Sequence, residues 1–331
     1  METYYHPVKI GDLELAGNLF LAPMAGYTDR VYRTICRENG ADFSFTELVS
    51  AEGLFRGGKA SIKLIEKGEE AGPYAIQLFG HEPESIYKAA IGLSPYKPDM
   101  LDINCGCPVP KVVKHGAGSA LMKNPALLGK ILESAVRASE EALGNIPVSV
   151  KIRSGWDSQS INYRECAKIA CEEGVKMISL HPRTRSQFYG GKSDWLHIAD
   201  LVSRINIPIT GSGDLYNPMD AEKMFKETGC DAIMFARGAI GNPFIFSAAK
   251  EYLLNGSLSE ISFPEKIKTA MRHMELLAAD IGEKAACKEM RKFFAAYTKG
   301  EKGSASLRNR IVKAETIDEY KRILGIECIY G

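Results

Sequence analysis

A chain of 331 residues, 45% of them hydrophobic and 25% charged, has the make-up of a globular protein with a sizeable core, and it suits a barrel of roughly 250 residues plus an appendage. A net charge of +1 by itself argues against a polyanion partner, and no run of about eighteen apolar residues is present to span a membrane. Eight cysteines, at 36, 105, 107, 166, 171, 230, 287 and 328, show no disulfide-framework spacing and follow no apolar leader, so reduced thiols and a cytoplasmic location are expected.

Short apolar, β-branched runs at 19–24, 42–48, 73–79, 100–106, 147–153, 177–183, 208–214 and 232–238 alternate with helical stretches. The long interval before 147 holds a loop and a helix that Asn124-Pro125 opens, with Leu127, Leu128, Ile131, Leu132, Ala135 and Val136 as its apolar stripe. A second helix runs from Asn162 through Cys171 and stops at Gly174; a third starts at Asn217-Pro218 and ends at Gly229. Eight strand-helix repeats argue an α/β fold of the (β/α)8 TIM-barrel kind over an open doubly wound sheet. From about 256 no β-type run recurs, and helices are predicted at 264–281, 284–299 and 304–325. The expected organisation is a barrel domain over 1–255 and a small all-helical C-terminal domain over 256–331, closely packed.

The fourth run, Leu101-Asp102-Ile103-Asn104-Cys105-Gly106-Cys107-Pro108, ends in glycine and proline, so Cys107 should leave the sheet at its carboxyl end. Strand alternation puts Asp102 and Asn104 on one face and Ile103 and Cys105 on the other, which makes Cys105 a buried apolar residue and Cys107 the thiol at a mouth.

Chemistry in such a barrel lies at the carboxyl ends of the strands. The other runs deliver Pro23-Met24-Ala25, Glu47, Gln77, Lys151 with Arg153, His181 with Arg183, Ser212-Gly213-Asp214 and Ala236-Arg237-Gly238. Glycine turns after the last two strands suit a phosphate, with Arg237 as its charge partner. No G-x-G-x-x-G or Walker pattern is complete, so a phosphate-bearing cofactor such as flavin mononucleotide (FMN) is favoured over a Rossmann dinucleotide. Lys151, inside Val148-Ser149-Val150-Lys151-Ile152, needs an anion or an electron-rich ring; it could hold charge on a flavin or serve as a Schiff-base lysine. Cys105-x-Cys107 is not zinc spacing and no metal site is expected. Between Lys284 and Lys313 nine Lys or Arg face two acids, Glu289 and Glu301, a basic window on an otherwise acidic chain.

The combination of Ala-Pro-Met-Ala-Gly at 22–26, Gln77 in Gln-Leu-Phe-Gly, Asp-Ile-Asn-Cys-Gly-Cys-Pro at 102–108, Gly-Ser-Ala-Leu-Met at 118–122, Val-Lys-Ile-Arg at 150–153 and His-Pro-Arg-Thr-Arg at 181–185 resembles the tRNA-dihydrouridine synthases. The likeness runs over nearly the whole chain. It implies an FMN barrel with a helical tRNA-binding domain that reduces the C5=C6 bond of a uridine in tRNA. NAD(P)H would be a transient reductant, hydride would pass through FMN to C6, and Cys107 would protonate C5 as general acid.

Carried over residue by residue, the resemblance implies FMN contacts from Pro23, Met24, Ala25, Gln77, Lys151, His181, Ser212, Gly213, Asp214, Ala236 and Arg237. Asn104 would position the uracil; Arg183 is a further expected substrate contact, and from the basic window and the catalytic loop Lys288, Arg291, Lys292 and Lys111 are expected to meet tRNA phosphates. Gly-Ser-Gly at 211–213 and Ala-Arg at 236–237 stand where that family commonly has Ala-Asn-Gly and Gly-Arg; backbone donors need no particular side chain, so FMN is expected to bind. A monomer without metal or membrane association is expected. Competing readings are a small-molecule FMN oxidoreductase of the dihydroorotate dehydrogenase or enoate reductase kind, a Schiff-base lyase using Lys151, and a non-catalytic RNA-binding protein.

Overall fold

The structure, a computed structural model, describes residues 3–68 and 72–326; Cys328 and the end of the expected helical domain lie outside them. A hairpin, β1 (Val8–Ile10) and β2 (Leu13–Leu15), comes first. Eight parallel strands follow: β3 (Leu19–Leu21), β4 (Phe43–Ser50), β5 (Tyr74–Phe79), β6 (Met100–Cys105), β7 (Val148–Gly155), β8 (Met177–Thr184), β9 (Ile209–Ser212) and β10 (Ala232–Phe235). They pair in chain order and β10 returns to β3, closing the barrel.

Burial on both faces explains why these strands read as continuous apolar runs. Outward residues such as Leu101, Ile103 and Cys105 of β6 join the core beneath the helices. Inward residues stack in layers. Phe20, Phe43, Ala75, Met100, Met177 and Ala232 form an apolar floor closed from below by Val8, Ile10 and Leu15 of the hairpin. Above the floor the inward positions turn polar and stay buried: Gln77, Asp102, Ser149, Ser179 and Thr210. A barrel interior that changes from apolar floor to polar upper layer places its chemistry at one end.

All eight strands stand where the apolar runs are, but pairing ends earlier than expected at Leu21, Ser212 and Phe235, because a fully buried strand carries no alternation to mark its end. The residues beyond become mouth loops. β4 runs on to Ser50 through a register shift between Phe45 and Leu48. The hairpin was not expected; two three-residue strands around Gly11-Asp12 are too short to show a period.

Helix Pro125–Ala142 is capped by the Asn124 side chain on Leu127 N–H, and helix Pro218–Thr228 opens in a capping box and stops at left-handed Gly229. After helix Ile245–Asn255 come Phe263–Ile281 and Glu283–Tyr297. The single helix expected at 304–325 is two, Ser304–Ile311 and Ile317–Leu324. Thr316 makes a capping box with Glu319, and an N-cap must leave helical geometry, here with φ −129° and ψ 155°.

The helical part packs directly on the barrel. Arg30 pairs with Asp280 and Arg272 with Glu38, while Tyr32 lies 4.8 Å from the Phe293 ring. Gly241, at φ 60°, sits so close to Glu283–Tyr297 that a Cβ there would meet Phe293 O at 2.9 Å. The loop after β10 is thereby held against the helical part.

Candidate active site

A cavity of about 440 Å³ opens at the carboxyl end of the barrel, inside the roughly 300–1,000 Å³ range of small-molecule sites. Strand alternation brings Asn104 of β6, Lys151 and Arg153 of β7, His181 of β8 and Ser212 of β9 to its wall. The loops after β3, β9 and β10 add Pro23, Met24 and Ala25, Gly213 and Asp214, and Ala236 and Arg237, and Cys107 follows β6 into the same space. Twelve of the residues expected from sequence thus share one wall.

Cys107 is half-buried, and burial pushes its thiol above the ordinary range, so it carries its proton at neutral pH. Its loop is fixed on both sides. Cys107 N–H donates to Asn104 Oδ1 at 2.9 Å, while Ser119 Oγ donates to Cys107 O at the same distance. Gly118 is required beneath it, because a Cβ there would lie 2.8 Å from Cys107 O. Cys105, one pleat away, is fully buried and faces the helices.

Lys151 touches the cavity yet is enclosed by protein, and desolvation together with the Arg153 cation lowers its ammonium to about 8, against an opposing pull from Asp102. Among the described residues nothing pairs with its Nζ, so the cavity is where its partner belongs. His181 is pushed well below the usual imidazole range by burial and then by Lys151, Arg153, Arg183 and Arg237, which leaves it neutral. Arg183 Nη1 stands 3.2 Å from His181 Nε2; arginine can only donate, so Nε2 accepts and the ring proton sits on Nδ1.

Two contacts expected from the barrel strands are absent from the wall. Gln77 is fully buried with its whole amide in use, Nε2 donating to Asp102 at 2.5 Å and Oε1 accepting from Asn104 at 2.9 Å. Arg183 is buried and spends its guanidinium on Gly190 O, Gly191 O, Ser193 Oγ, His181 and both oxygens of Asp214. It braces the site rather than facing a substrate. Asp214 in turn pairs with Arg237, so the acid expected toward a phosphate serves to hold two arginines.

The basic residues outside the barrel interior lie apart from this wall. Lys111 is exposed on the short helix Pro110–Val113, and Lys288 is exposed on Glu283–Tyr297. Arg291 on that helix donates to Ala314 O, and Lys292 donates to Gly26 O at 2.5 Å, clasping the loop that carries Ala25 and Tyr27.

Sequence reasoning passed over Tyr27, Tyr189, Tyr216 and the binding role of Arg153. Arg153 ties the Cys107 loop to the loop after β8, donating to Gly106 O, Thr184 O and Phe188 O. Its place in the Val-Lys-Ile-Arg run was the available signal. Tyr189 and Tyr216 flank Arg237, their rings 5.2 and 5.3 Å from its guanidinium carbon, but they sit in loops where no periodicity points to them.

The turn after β9 passes tightly against its neighbours. Gly213 has φ +105°, and a Cβ there would fall 2.3 Å from Ser193 Oγ and 2.8 Å from His181 Cδ2. Among the described residues no cluster of metal-ligating side chains occurs, and no helix is long and apolar enough to cross a membrane.

The sequence profile described as Dihydrouridine synthase (Dus) matches residues 20–329. The chain is 41% identical to the probable tRNA-dihydrouridine synthase of Treponema pallidum (strain Nichols), over 98% of this chain and 97% of that protein. It is 35% identical to tRNA-dihydrouridine synthase B of Xanthomonas axonopodis pv. citri (strain 306), over 94% and 92%. Among solved structures, the 2-naphthoyl-CoA reductase complex superposes with a TM-score of 0.58 at 15% identity, over 74% of this chain and 51% of that one. The old yellow enzyme homologue from Zymomonas mobilis gives 0.54 at 13%, over 80% and 96%, which is a likeness of fold.

Proposed function

The chain belongs to the dihydrouridine synthase family, and from that premise we propose that it reduces the C5=C6 bond of a uridine in tRNA, with FMN as resident cofactor and NAD(P)H as reductant. The observation that carries the reading is the convergence of Cys107, Asn104, Lys151 and His181 on one cavity. The residues present fit a flavin. Lys151 offers an ammonium without a protein partner, neutral His181 offers Nδ1–H, and Arg237 supplies a cation at the same wall.

Bound at this wall, FMN would supply hydride-transfer chemistry for C6 of the uracil, with NAD(P)H as the electron source. The chain's own residues do the rest. Lys151 and His181 bind and orient the ring system, and the Arg183–Asp214–Arg237 set keeps the cations in place. Asn104 positions the uracil, and the Cys107 thiol, protonated at neutral pH because burial raises it, delivers a proton to C5. A base reaches such a cavity only by leaving its stack, which costs a few kcal/mol and is easiest in an unpaired loop. Exposed Lys111 and Lys288 are suited to the phosphates around it, the latter from a helical tRNA-binding domain over 256–331.

Two experiments test this. Purified protein should be yellow and release FMN on denaturation. Mass spectrometry of tRNA digests from cells with and without the gene should show dihydrouridine lost at one or more positions. Unchanged dihydrouridine at every position, in cells with no other synthase, refutes the assignment.

A further inference from the structure

Beneath the cavity floor a chain of buried polar groups crosses three strands. Gln77 of β5, Asp102 of β6 and Ser149 of β7 are register partners in one row, and Asn104 stands one inward position above Asp102. Ser149 Oγ donates to Asp102 Oδ1 and Gln77 Nε2 donates to Asp102 Oδ2, both at 2.5 Å. Asn104 Nδ2 donates to Gln77 Oε1 at 2.9 Å, and Asn104 Oδ1 accepts from Cys107 N–H at 2.9 Å and Gly106 N–H at 3.3 Å.

Every bond in this chain has a direction, which Asp102 fixes from below as the Cys107 and Gly106 N–H groups do from above. An ionised carboxylate only accepts, so Gln77 must turn its NH₂ toward Asp102 and its carbonyl toward Asn104. Asn104 must then give its NH₂ to Gln77, which leaves its carbonyl for the two N–H groups of the Cys107 loop. Were Asp102 able to donate, both amides could turn over, and Asn104 would set an NH₂ against Cys107 N–H, donor facing donor. Asp102 is fully buried and is not in the cavity wall.

Resting on the function proposed above, we propose that Asp102 is a positioning residue: it sets the direction of the Gln77–Asn104 relay and so holds Asn104 and the Cys107 loop as tRNA reduction requires. Burial raises its carboxyl to about 6, opposed by the bonds from Ser149 and Gln77 and by Lys151. The groups facing it are these three, from β5 and β7. Ser149 and Gln77 do not titrate, Lys151 titrates near 8, and His181 in the wall above lies well below its usual range. As pH falls through about 6 and Asp102 gains a proton, the lower end of the relay no longer enforces its direction, and only the Cys107 and Gly106 N–H groups still hold Asn104.

The test is Asp102→Asn in the flavin-loaded enzyme, with the two half-reactions followed separately by flavin absorbance in rapid mixing across pH 5 to 8. Reduction by NADPH should stay within about twofold of wild type below about pH 7, where Lys151 keeps its proton in both enzymes. Reoxidation by tRNA should fall roughly ten- to hundredfold, on the scale of a buried hydrogen bond lost or reversed, and should lose the acid limb near pH 6 that wild type shows. An Asp102→Asn enzyme that matches wild type toward tRNA, keeps the acid limb, or loses both half-reactions in equal proportion overturns the relay. Should that variant not fold, Ser149→Ala removes one bond to the carboxylate and must move the acid limb to higher pH; an unmoved limb overturns the proposal equally. A wild-type enzyme inert toward tRNA would instead remove the proposed function, and the relay with it.

Discussion

His273 makes the junction between helical part and barrel sensitive to acid. It is fully buried on helix Phe263–Ile281, stacked 5.1 Å from the Tyr32 ring and edge-on to Phe293 at 4.5 Å, and neither ring nitrogen has a partner. Burial, with the Lys292 cation, lowers it from an ordinary 6.5 to about 3. The unfolded chain then binds a proton below pH 6.5 that the folded chain refuses until pH 3, so stability is lost as pH falls through that window. From pH 7 to pH 5 this covers about one and a half pH units, or about 2 kcal/mol at 1.36 kcal/mol per unit. His273→Leu keeps the site apolar and removes the titration. Urea unfolding of both proteins at pH 7 and pH 5 should show wild type losing about 2 kcal/mol more than the variant over that interval. Equal losses would refute a buried, neutral His273.

Three further outcomes follow from the site. Gly213→Ala, at φ +105° and with a Cβ 2.3 Å from Ser193 Oγ, should purify largely without flavin while remaining folded by circular dichroism. Flavin reduction by NADPH should decline as pH rises through about 8, when Lys151 loses its proton, and Lys151→Met should give a low rate without that limb; an identical limb in the variant would separate it from Lys151. Lys288→Ala should weaken tRNA binding and reduce the slope of log affinity against log salt by about 1, leaving flavin reduction as it is.

The barrel was legible because each strand-helix unit announces itself locally, through a buried run and a cap such as Asn124-Pro125 or Asn217-Pro218. Alternation from those strands also located Asn104, Lys151 and His181 in one wall and turned Cys105 away from it. What alternation cannot tell is how far an inward side chain reaches. Gln77 lies one row below Asn104 and is consumed by Asp102, and Arg183, inward like His181, folds back onto Asp214 and the carbonyls of the next loop. Tyr189 and Tyr216 reach the cavity through loop paths that only the folded chain defines. The split at Val312–Glu315 hid because the apolar spacing continues across it, while the capping box at Thr316 was the overlooked stop signal.

The most direct measurement compares Cys107→Ala with Cys105→Ala after each bound flavin has been reduced by NADPH and mixed with tRNA. Cys107 lies in the cavity wall and Cys105 lies in the core beneath the helices. Cys107→Ala should keep its flavin and its reduction by NADPH yet fail to be reoxidised by tRNA, and Cys105→Ala should complete both half-reactions. Equal loss in the two variants, or tRNA reduction that survives without Cys107, would contradict the assignment of Cys107 as the general acid.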